Sequence, residues 1–76
     1  MLTFKIDVLS ELKDRGYTSY VIRQKGYLSE ITMAHLRKNE MVSTKALNAI
    51  CCMLHKKPGD VIDFVVSDEE KIQYYI

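Results

Sequence analysis

The 76-residue chain predicts an all-α domain of five short helices. Three observations lead there. Apolar residues recur at helical spacing in successive segments, and most of these segments open on a hydroxyl or a proline and close near a glycine or asparagine. The composition is that of a folded chain, with 47% hydrophobic residues, one Pro and three Gly. The length fits one domain, which buries only about 60% of the surface exposed by its unfolded form.

From Lys5 to Arg15, residues Val8, Leu9 and Leu12 recur at helical spacing, and Gly16 stops the first helix after the basic Arg15. Thr18 caps a short second helix through about Lys25, with Val21 and Ile22 turned inward and Gly26 at its end. Ser29 caps a third, with Met33 and Leu36 on its apolar side and Asn39 suited to its C-terminal end. Ser43 caps the fourth in "VSTKALNAICCML". There Leu47, Ile50, Cys51 and Leu54 follow the i, i+3, i+4, i+7 template, and Val42 is placed to staple against Leu47. "PGDVIDFV" starts a fifth helix, with Pro58 in its first turn and Asp60 near the positive end of its dipole. The ending "KIQYYI" reads two ways: as a strand from its Ile and Tyr content, or as a helix with Ile72, Tyr75 and Ile76 on one face. The two helices that meet near Gly26 make a helix-turn-helix unit. Residues 1–66 form the expected domain, and residues 67–76 are an acidic, then apolar, tail.

Charge is divided along the chain. Between residues 15 and 57, eight basic residues stand against Glu30 and Glu40; from 58 onward, Lys71 stands against Asp60, Asp63, Asp68, Glu69 and Glu70. A basic middle suits a polyanion, and a solvated basic surface is the plainer alternative. Lys5, Asp7 and Glu11 leave the first segment without the apolar core of a signal peptide, and no later run is long enough to span a membrane, so a cytoplasmic location is expected. Cys51 and Cys52 are adjacent and belong to no Cys-x-x-Cys pair, so neither a disulfide framework nor a metal site is expected. No cofactor or small-molecule effector is implied. The chain has no P-loop, dinucleotide turn, His-Glu-x-x-His stretch or matched nucleophile and base, so no enzyme is expected.

The run "LRKNEMVSTKALNAICCML" followed by "KPGDVIDFV" resembles the Cro/repressor-type helix-turn-helix family, in particular its small single-domain members from Gram-positive bacteria and mobile elements. The resemblance covers about residues 5 to 66 and implies a lambda-repressor-like DNA-binding domain. It places Leu28, Met33 and Leu36 on buried positions, with Ile22 and Arg23 on the two inner positions of helix two; the family usually has Ala where Arg23 stands. Tyr27 falls where the family prefers Gly, and the glycine here is one residue earlier. Gly26 is therefore expected to take the left-handed conformation in a rebuilt turn.

Carried over position by position, the family's base-reading positions fall on Ser29, Glu30, Ile31 and His35. The chemistry suits the role: Ser can donate and accept, Glu can accept from cytosine N4, Ile can touch the thymine methyl, and His can donate to a purine N7. The plainer readings are a cap for Ser29, a first-turn acid for Glu30 and a solvated side chain for His35. Phosphate contacts are expected from Ser19 and Tyr20 at the start of helix two, and from Lys38 and Lys45 around the loop before helix four. Arg37 either joins them or pairs with Glu40 at i+3.

These expectations describe a sequence-specific binder of double-stranded DNA, acting as a transcriptional regulator and more specifically as a repressor. The alternative is a protein-interaction or antitoxin-like accessory module that uses the helical scaffold and the tail. Because one short helix reads few base pairs, a homodimer through Ile72, Tyr74, Tyr75 and Ile76 is expected. In that dimer the tail would be an edge strand pairing with its symmetry mate or with "LTFK"; packing over helix one or five is the other outcome.

Overall fold

The computed structural model describes residues 1–75. Its order is β1 (Leu2–Phe4), α1 (Val8–Asp14), α2 (Ser19–Lys25), α3 (Glu30–Arg37), α4 (Thr44–Leu54), α5 (Pro58–Val61), β2 (Ile62–Phe64) and α6 (Asp68–Tyr74). The all-α expectation is met by six helices, with one small two-stranded sheet added.

Helix starts follow the hydroxyl caps. Thr18, Ser29 and Ser43 each accept a backbone N–H three residues on, at 3.1 to 3.3 Å. Asp7 does the same for α1, accepting from Ser10 at 3.2 Å, so the first helix starts at Val8 rather than Lys5. The stops of α1 to α4 share one device, the Schellman motif. The amides of Tyr17, Tyr27, Glu40 and Lys56 reach back to the carbonyls of Leu12, Ile22, His35 and Cys51, across left-handed Gly16, Gly26, Asn39 and His55.

Gly26 is at φ 69, ψ 27, as the displaced glycine requires, and Tyr27 stays out of the left-handed region. The Tyr27 ring packs edge-on against Tyr17 with centroids 6.1 Å apart. A Cβ added at Gly26 would meet nothing within 4 Å, so the cost of Gly26→Ala is backbone strain alone. The expected loss is about 1 to 2 kcal/mol, read from the midpoint of urea unfolding. Gly59, which has no positive φ and equal space, is the control, and its Ala variant should be neutral or slightly stabilising.

Leu12, Ile22, Met33, Ile50, Leu54 and Val61 are fully buried, and α1 packs on both α3 and α4. Among the described residues no polar or charged side chain is buried. On α4 the buried stripe runs through Ala46, Ile50, Met53 and Leu54. Leu47 and Cys51, expected inside, are half-buried at its edge, as is Val42.

The fifth helix is shorter than "PGDVIDFV" suggested. It ends at Val61, and Ile62–Phe64 pairs antiparallel with Leu2–Phe4, Leu2 opposite Phe64 and Phe4 opposite Ile62. Phe4 and Ile62 pack against the core, an apolar burial that continuing the helix would forgo. The sheet occupies the "LTFK" partner proposed for the tail, and the tail itself is helical, which removes the edge-strand arrangement. Ser67 and Glu70 form a capping box at its start. The amine of Met1 beside Glu70, with the Ser67 backbone, holds that carboxyl below its usual range. Packing of the tail over helix one or five does not develop either: α6 buries none of its residues, and Ile72, Tyr74 and Tyr75 are exposed. Ile76 lies outside the described residues.

Candidate nucleic-acid interface

The side chains of α3 divide by the helical period. Successive residues turn by about 100°, so the side opposite the buried Met33 and Leu36 carries Ile31, Ala34, His35 and Lys38. Ile31 is 74% exposed. The stripe is apolar near the head of the helix and basic at its end. Ala34 is exposed, and sequence reasoning missed it; its spacing three residues after Ile31 was the available signal. Its small side chain lets another surface approach the helix closely, and alanine can contact a thymine methyl.

The other expected base-reading residues have partners already. The Ser29 hydroxyl accepts from the Thr32 amide at 3.1 Å and pairs with Thr32 Oγ1 at 3.0 Å, so it serves as the cap. Glu30 Oε1 lies 2.7 Å from Arg23 Nε. Arg23 is therefore not an inner residue of α2: Ile22 is buried, while Arg23 remains half-exposed at the side of the turn. A guanidinium without a buried partner costs too much to place inside, and the head of α3 offers a carboxylate at the surface. His35 Nδ1 stands 3.6 Å from Glu40 Oε1. The i+3 pair between Arg37 and Glu40 is not formed. Left-handed Asn39 turns the chain and carries Glu40 back to His35.

An open groove flanks each side of α3. One is lined by Lys13, Thr18, Ser19, Tyr20 and Arg37, together with the acidic Asp7. The other is lined by Ser43 and Lys45 at the start of α4, facing Ser29 and Thr32 of α3. Of the five side chains expected to hold phosphate, Ser19 and Tyr20 of α2 share one groove with Arg37 at the end of α3, Lys45 lies in the other, and Lys38 ends the outer stripe. Among the described residues none of Arg37, Lys38 and Lys45 has a carboxylate within 4.0 Å, whereas Lys56 pairs with Glu11 at 2.9 Å.

A family model, the Cro/C1-type helix-turn-helix DNA-binding domain, matches residues 7–67. The chain belongs to the Cro/C1-type helix-turn-helix family. No curated protein and no solved structure matches it significantly. As a Cro/C1-type domain it is a DNA-binding unit of the kind used in transcription regulation. The match runs from the cap of α1 to the cap of α6. In this Cro/C1-type domain α2, the Gly26 turn and α3 are the helix-turn-helix unit, while β1 and the body of α6 lie outside the matched residues. No helix is long and apolar enough to cross a membrane among the described residues.

Proposed function

We propose that the protein is a cytoplasmic, sequence-specific repressor that places α3 in the major groove of duplex DNA and regulates by occupying a promoter. The observation that carries this reading is the outer stripe of Ile31, Ala34, His35 and Lys38 between two grooves bearing Ser19, Tyr20 and Arg37 on one side and Lys45 on the other. Ile31 and His35 read bases together with Glu30 and Ser29; the flanking groups and Lys38 hold phosphates. Residues 1–66 serve as the DNA-binding domain. Titration of duplex DNA over a range of salt concentrations tests the reading. Arg37, Lys38 and Lys45 should give a log–log slope of about −3 per copy. No duplex binding even at low salt would point instead to an accessory module that docks a protein through apolar contacts.

The tail, residues 67–76, supports a second part of the proposal. Ile72 is 78% exposed and Tyr75 95%, with Tyr74 beside them, and two copies of α6 can cover these side chains in a homodimer that doubles the DNA site. Deleting residues 71–76 should halve the mass measured by light scattering and leave most of the helical signal. A full-length protein that is monomeric at high micromolar concentration would remove the dimer.

A further inference from the structure

The Arg23–Glu30 pair links the end of α2 to the first residue of the recognition helix across the turn. Resting on the base-reading role of α3, we propose that Arg23 is a positioning residue that sets Glu30 to select cytosine at one position of the DNA site. A free carboxylate at the head of α3 would face the phosphate backbone and weaken binding to every sequence. Arg23 cancels that charge at 2.7 Å. It also restrains the carboxylate: the contact to Oε1 uses one of the roughly four acceptor sites of the group. The Glu30 side chain is 64% exposed against 50% for Arg23, so the acid is the more open partner to a donor arriving from outside. Cytosine N4–H₂ is the donor that a carboxylate matches in the major groove. The Glu30 backbone lies in the first turn of α3, where recognition helices reach base edges.

The test measures affinity for the parent's preferred duplex and for duplexes carrying each other base pair at every position, using the parent, Arg23→Gln, Arg23→Lys and Glu30→Gln. The parent should prefer C·G at one position by about tenfold, and Glu30→Gln should remove that preference. Arg23→Gln should weaken the same preference, at that position alone, with Arg23→Lys restoring part of it. Melting temperatures should stay within a degree or two throughout, since an exposed ion pair adds little to stability. Arg23→Gln retaining the full preference overturns the proposal. So does a loss equal on all sequences with a shallower salt slope, which would make Arg23 a phosphate contact. A parent with a clear motif but no preference sensitive to Glu30→Gln overturns the positioning role alone; a parent with no sequence preference overturns the base-reading function as well.

Discussion

Ile50→Ala is expected to destabilise the domain by about 2 to 5 kcal/mol. Ile50 is fully buried on α4, within the core that also holds Leu12, Met33 and Leu54, and truncation would leave a cavity that the surrounding helices can fill only by moving. Domains of this size have about 5 to 15 kcal/mol of stability, and small cores fall toward the lower end. The substitution therefore removes a large share of the total, and the melting temperature should fall by roughly 8 °C or more. Leu47→Ala should cost less, because Leu47 is only half-buried at the edge of the same helix. A melting temperature for Ile50→Ala within a degree or two of the parent would show that the buried face of α4 is wrongly assigned.

Replacing Lys38 and Lys45 together with Ala should weaken DNA binding by about one to two orders of magnitude per bound copy near 0.1 M salt and reduce the salt slope by roughly two units per copy. Both residues lack an acidic partner among the described residues, so their charge is available to phosphate. Lys38 ends the outer stripe of α3, and Lys45 lines the groove at the start of α4. The loss should be nearly equal for specific and random duplexes, because phosphates carry no sequence information. Unchanged binding at every salt concentration would exclude both phosphate contacts.

Much of the helical order is legible in local chemistry. Thr18, Ser29 and Ser43 each stand just before an apolar-periodic run, and a hydroxyl there has one stable use. The displaced Gly26 similarly points to its own left-handed conformation, since Tyr27 would be strained in it. Asp7 is a local signal of the same kind: its carboxylate caps α1 as the hydroxyls cap α2, α3 and α4. The sheet was less accessible. Leu2–Phe4 and Ile62–Phe64 are three residues each, too short to show alternation, and their pairing joins segments about sixty residues apart. "VIDF" consequently reads as more helix, although Ile62 is needed beside Phe4.

The candidate site shows the same divide. The faces of α3 follow from the positions of Met33 and Leu36, so Ile31 and His35 could be placed outside from the period alone. Ala34 was missed because its role lies in the space it leaves rather than in a reactive group. The Arg23–Glu30 contact depends on how the Gly26 turn folds α3 back beside α2, which spacing along the chain does not reveal. The position suggested burial for Arg23, and the chemistry of a guanidinium kept it at the surface.

Selection of bound sites by the full-length protein from random duplex DNA tests the central proposal most directly. The expected result is one enriched motif made of two inverted half-sites with centres about 10 to 10.5 base pairs apart, or a multiple of that spacing. A pool that remains unenriched after repeated rounds would contradict sequence-specific reading by α3.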